Sequence, residues 1–242
     1  MEKITKRGFS LRQRRFVKLF TVGYFFIAFV EIIAEYFRDT TLVYATKPLL
    51  MPLLILLYWS TSRRFDYLYV FAILFSWVAN IFFVSTLFQS IMIGAFFFIF
   101  QRLLIIYIVL KYIKLPSIFP MIVGCIPFLF IYFYLVCLTH DKIGDGLIIF
   151  VVQCVLISFL GGLAVGNYIF RSNRANKLLL LSIMFFAITQ FVFVLRLYYT
   201  ESNVFQPIAM ILFVAAQYLF YRFLLLAEKK KAGFEIIGGS RV

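Results

Sequence analysis

Apolar residues in this chain neither alternate like a strand nor recur at the spacing of a surface helix. They come in runs of about 20, the length a helix needs to cross the roughly 30 Å hydrocarbon core of a bilayer. Eight runs can be drawn: Phe16–Phe37, Leu42–Ser60, Tyr67–Leu87, Ile91–Tyr112, Ile118–Leu138, Leu147–Phe170, Leu178–Leu197 and Val204–Leu226. The predicted fold class is therefore all-α, a polytopic membrane protein of eight transmembrane helices. The first run is too long for the core of a cleavable signal and has no small-residue exit, so it is expected to remain a span.

The connecting segments give the chain an orientation. Lys3, Lys6, Arg7, Arg12, Arg14, Arg15 and Lys18 lead into the first run. Arg63 and Arg64, then Lys111 and Lys114, then Arg171, Arg174 and Lys177 fill alternate connections, and Lys229, Lys230 and Lys231 follow the last run. The other connections read RDT, FQS, THDKIGDG and YTESN, neutral or slightly acidic. Under the positive-inside rule this alternation puts both termini in the cytoplasm, and only an even number of spans keeps it. The domains follow: a basic cytoplasmic segment over residues 1–15, a membrane domain over 16–227 and a cytoplasmic tail over 228–242, whose AGFEIIGGSRV end is expected to be irregular.

Composition changes the picture only by excluding alternatives. Hydrophobic residues make up 64% of the 242, well above the roughly 45–50% of soluble domains. The net charge of +14 would suggest nucleic acid in a soluble protein, but here it follows the topology, so no nucleic-acid partner is expected. Cys125, Cys137 and Cys154 lie inside apolar runs and read as small buried hydrophobes rather than disulfides or a metal site. No cofactor is expected. Gly162 and Gly166 form a small-x-x-x-small face suited to close helix packing.

The costly residues are the polar ones inside the runs. With the orientation above, Glu31 and Glu35 sit in the outer half of span one, one turn apart on one face. Lys47 lies about a turn inside the outer boundary on span two, followed by Pro48. Asn80 on span three, Gln153 on span six, and Gln190 and Arg196 on span seven also lie outside the midplane, with Gln101, Arg102 and Gln217 near it. Two acids thus share one layer with three bases. The expected pairs are Arg102 with Glu31, and Glu35 with Lys47 or Arg38. Gln153 and Gln217 read as interhelical glue, and His140, the only histidine, as part of a polar loop.

Five stretches carry a resemblance: TKPLLMPLL (46–54), LFSWVANIFFV (74–84), GAFFFIFQRLLIIY (94–107), MFFAITQFVFVLR (184–196) and FVAAQYLFYRFLLL (213–226). In order and spacing the chain resembles the lysoplasmalogenase (YhhN-like) family, which has about eight spans and hydrolyses the vinyl ether of lysoplasmalogens to a fatty aldehyde and a glycerophospho head group. Lys47, Pro48, Ser76, Ala216 and Gln217 match the family's motifs. Its Gly-Asp on span three is Ala79-Asn80 here, its span-four His falls near Phe100 or Gln101, and its span-seven Ser-Asp or Ser-Asn is Thr189-Gln190.

The departures bear on the chemistry the resemblance implies. Enol-ether hydrolysis begins with protonation of the double bond and needs an acid and a water-activating base; amides supply neither. Two readings follow. In one, Glu31 and Glu35 take over the acid/base work, while Lys47, Asn80, Gln101, Arg102, Gln190, Arg196 and Gln217 bind the substrate, guanidinium being well shaped for phosphate. In the other, the protein binds or transports lipid in the same cavity without catalysis. The expected partner is a membrane lipid, a lysophospholipid, and the expected location is the inner membrane of a bacterial cell.

Overall fold

The computed structural model describes residues 11–62, 65–85, 87–199 and 202–238, and these form eight α-helices with no strand among them. They are α1 (Leu11–Phe37), α2 (Thr40–Thr61), α3 (Tyr67–Phe82), α4 (Phe88–Tyr112), α5 (Ile118–Ile143), α6 (Leu147–Phe170), α7 (Arg174–Tyr198) and α8 (Phe205–Gly238), with one 3₁₀ turn, Gly144–Gly146, between α5 and α6. Six stretches are long and apolar enough to cross a membrane. One of these, Ile118–Phe170, is 53 residues long and holds both α5 and α6. Large apolar side chains such as Leu19, Phe26, Phe37, Phe119, Phe130 and Ile148 point outward, which fits a lipid solvent. This is a multi-pass membrane protein.

Local chemistry explains where the helices stop. Arg38 adopts φ 56° after α1, a left-handed residue of the kind that closes a helix, and Asp39 N–H returns to the Ala34 carbonyl at 2.9 Å. Asp39 then caps α2 by accepting from Leu42 N–H at 3.1 Å. Asp66 and Asn173 cap α3 and α7 in the same manner. Gly144, at φ 56°, turns the chain from α5 into the 3₁₀ turn, a conformation that suits glycine.

Sequential helices are antiparallel. Phe75 stacks on Phe100 and Phe82 on Phe97 across α3 and α4. A Cβ on Gly162 would meet the Met121 carbonyl at 2.6 Å, and one on Gly124 would meet Val165 Cβ at 2.9 Å, so α5 and α6 are in near-backbone contact. The packing order closes a ring, α1–α2–α3–α4–α6–α7–α8 and back to α1, with α5 outside it against α6 and α7. Tyr24, Leu50, Leu54, Tyr58, Tyr69 and Phe220 are fully buried in the core.

Several boundaries differ from the sequence expectation. α3 ends at Phe82 rather than Leu87, because Phe83 leaves the helix and stacks on Phe98 and against Phe193. α5 continues through His140, which is exposed beside Asp141, so the histidine belongs to a helix rather than a loop. α8 runs on to Gly238, so most of the AGFEIIGGSRV end is helical. Cys137 is exposed, on the outward face of α5, rather than buried. Residues 1–10, with Lys3, Lys6 and Arg7, lie outside the described residues, as do Arg63 and Arg64.

Candidate functional site

The α1–α2, α3–α4, α5–α6 and α7–α8 connections lie at one end of the bundle, called here the hairpin end. From it a cavity of about 120 Å³ descends between α3, α4, α6, α7 and α8, with Lys47 of α2 on its wall. On α4 it is lined by Ile91, Met92, Ala95, Phe98 and Arg102, the 3–4 spacing of one helix face. Arg102 lies eleven residues below Ile91, a descent of about 16 Å at about 1.5 Å per residue. The upper wall carries Ile143, Ile149 and Leu197 together with Gln206 at the start of α8. Lys47, Asn80, Arg102, Gln153, Thr189, Gln190, Tyr198 and Gln206 supply its polar side chains. Among the described residues, no carboxylate lines it.

Arg102 does not pair with Glu31, as the sequence suggested. Its Nη1 donates to the Gln153 carbonyl at 2.9 Å, and the Gln153 side chain donates back across the same contact to the Ala95 carbonyl at 2.7 Å. This clasp ties α4 to α6. Among the described residues no acid is within ion-pair distance of Arg102. The reason is geometric: α1 packs on α2 and α8, on the far side of the ring from α4.

The expected partner of Glu35 is correct. Lys47 Nζ lies 2.6 Å from Glu35 Oε1 and 3.9 Å from Glu31 Oε1. Glu35 Oε1 also accepts from Gln206 Nε2 at 3.2 Å, and Gln206 Oε1 accepts from Arg196 Nη1 at 2.6 Å. Glu31, Glu35, Lys47, Gln206 and Arg196 therefore form one network that reaches the cavity through Lys47 and Gln206. Glu31 and Glu35 themselves do not line it, and neither does Arg196. Both oxygens of Glu31 are buried without a hydrogen-bond partner.

The amides divide into two groups. Asn80 and Gln190 line the cavity, while Gln101 and Gln217 are buried off it. Asn80 donates to the Ser76 carbonyl at 2.7 Å, and Gln217 donates to Ser76 Oγ at 3.0 Å, so Gln217 supports the helix that carries Asn80. Gln190 Nε2 reaches only Cys154 Sγ, at 3.7 Å, and its Oε1 is buried without a partner. Trp77 Nε1 donates to the Pro48 carbonyl at 2.8 Å, the acceptor left free because Pro52 has no N–H. That contact fixes the irregular turn that presents Lys47.

Gln206 and Tyr198 are the polar lining residues that the sequence did not single out. Gln206 lies in the first turn of α8, where a glutamine is unremarkable, and only its links to Glu35 and Arg196 set it apart. A second polar cluster, also unforeseen, lies at the opposite end of the bundle. There Tyr58 and Ser62 donate to Glu228 at 2.7 and 2.8 Å, and Asp66 accepts from Lys111 at 2.6 Å and Tyr112 at 3.0 Å. Its members satisfy one another and tie α2, α3, α4 and α8 together. Among the described residues, no three of His, Cys, Asp and Glu converge as a metal ion would require.

The fold and site thus define a polytopic helical membrane protein whose cavity sets Lys47, Arg102 and several amides among apolar side chains. The YhhN family matches over residues 42–224, and the chain belongs to that family. No curated protein and no solved structure gives a match.

Proposed function

We propose that the cavity binds the phosphate-bearing head of a single-chain ether lysophospholipid. The observation that carries this is the lining: two cations, Lys47 and Arg102, with Asn80, Gln153, Gln190 and Gln206, and no carboxylate among the described residues. Such a surface offers hydrogen-bond donors and positive charge to an anion in a setting of low dielectric, where both count for most. All eight helices cross the membrane in this reading, α3 by a short path, with both termini cytoplasmic and the cavity facing the outer leaflet of a bacterial inner membrane. The basic connections support that orientation.

Binding without hydrolysis is the reading the geometry favours. Asn80 stands where the resembled family carries Asp, Gln190 stands where it carries Asp or Asn, and both line the cavity as amides. A second reading, vinyl-ether hydrolysis, has one observation in its favour. Lys47 faces the cavity and holds Glu35 at 2.6 Å, so a carboxylate stands one side chain behind the ligand space. A proton would pass to the alkene carbon, water would add to the resulting cation, and the hemiacetal would collapse to aldehyde and alcohol.

Fatty-aldehyde release from a lysoplasmalogen in lipid nanodiscs decides between them. Binding alone predicts retention of the lipid with no aldehyde. Aldehyde that is lost in Glu31→Gln or Glu35→Gln establishes the hydrolase instead.

A further inference from the structure

We propose that anion binding in the cavity is coupled to uptake of a proton by the Glu31–Glu35 carboxylate pair, with Lys47 as the counter-ion shared between pair and ligand; this rests on the binding function proposed above. Three observations converge. Lys47 is the single cation that both lines the cavity and contacts the two acids, at 2.6 and 3.9 Å among the described residues. Glu31 is 0% exposed and neither of its oxygens has a hydrogen-bond partner, so nothing but charge at a distance, or a proton, stabilises it. The remaining neighbours are already committed: Tyr24 on α1 donates to the Val214 carbonyl at 3.1 Å, and Arg196 on α7 donates to Gln206 of α8.

Charge balance then dictates the coupling. Two acids face two cations, Lys47 directly and Arg196 through Gln206, with Arg38 just past the end of α1 and Tyr24, stacked on Tyr218, farther down α1 from Glu31. A phosphate oxygen at Lys47 draws on the ammonium that Glu35 and Glu31 share. A buried pair of carboxylates left with less counter-charge is costly, and a proton from solvent removes that cost without moving a helix. No bond other than O–H to one carboxylate oxygen is made. Binding is therefore tighter at lower pH, and ligand release returns the proton.

Isothermal titration of a saturated 1-O-alkyl lysophosphatidylethanolamine, which cannot be hydrolysed at a vinyl ether, into the nanodisc-embedded protein tests this in buffers of different ionisation enthalpy. The expected result is a buffer-dependent heat corresponding to close to a single proton taken up per ligand. In Glu31→Gln that dependence falls away while binding persists, because Glu31 does not line the cavity. Binding with no buffer dependence overturns the coupling and leaves the binding function intact. Undiminished dependence in both Glu31→Gln and Glu35→Gln overturns the assignment to this pair. Absence of binding in every buffer overturns the binding function and the coupling with it. Should Glu31→Gln fail to fold, the wild-type buffer dependence and Glu35→Gln still decide.

Discussion

Lys47 Nζ sits 2.6 Å from Glu35 Oε1, and Lys47 also forms part of the cavity wall. A structural ion pair and a ligand-facing cation are thus the same residue. Replacing it by methionine keeps the stem and removes the charge, leaving buried Glu31 and partly buried Glu35 without their direct counter-ion. Breaking one side of a buried pair costs about 3–5 kcal/mol, so Lys47→Met is expected to lower thermal stability in nanodiscs. Lys47→Met with Glu35→Gln is expected to recover much of that loss. A double variant no more stable than Lys47→Met contradicts the pair.

Arg102 and Glu31 occupy opposite sides of the ring, with Arg102 on the Gln153 carbonyl. Their changes are expected to add: the stability losses of Arg102→Gln and Glu31→Gln sum in the double variant to within about 0.5 kcal/mol. A larger coupling energy in a double-mutant cycle places the two in contact and refutes the geometry described here.

In the binding reading the cavity lacks a carboxylate among the described residues, and adding carboxylates to it tests that reading. Asn80 and Gln190 both face the cavity, and Asn80→Asp combined with Ala79→Gly and Gln190→Asp returns carboxylates to it. Aldehyde release from a lysoplasmalogen is expected to appear in the restored protein from an inactive parent. An inactive restored protein that still retains lipid shows that the lost acids alone do not account for inactivity.

The α5–α6 contact depends on glycine. A Cβ on Gly162 would meet the Met121 carbonyl at 2.6 Å and the Cys125 side chain closer still. Gly162→Val is expected to force the helices apart at a cost of about 1–3 kcal/mol, seen as a lowered melting temperature. Lipid retention is expected to persist at temperatures where the variant remains folded, because Gly162 does not line the cavity.

Much of this architecture is legible in the sequence because bilayer thickness imposes run length. The helices begin and end near the expected residues wherever a cap or a proline marks the change, as at Asp39 and Asp66. The α3 end departs because Phe83 packs sideways on its neighbours, which is a tertiary matter. Within the site, a pattern of charges gives depth but not azimuth. Depth alone put Arg102 and Glu31 in one layer, whereas the packing order of the ring puts them apart. It also could not show that Gln101 and Gln217 face away from the cavity while Asn80 and Gln190 face it. Gln206 went unweighed because its meaning lies in Glu35 and Arg196, which are distant in sequence.

In the proposed function Arg102 and Lys47 hold the anionic head of a single-chain lipid in the cavity. Equilibrium binding of a saturated 1-O-alkyl lysophosphatidylethanolamine to the nanodisc-embedded wild type and to Arg102→Gln tests it most directly. Loss of a charge-assisted contact worth about 1.5–3 kcal/mol predicts affinity roughly 10- to 100-fold weaker in the variant. Equal affinity in the two proteins, with both folded, contradicts it.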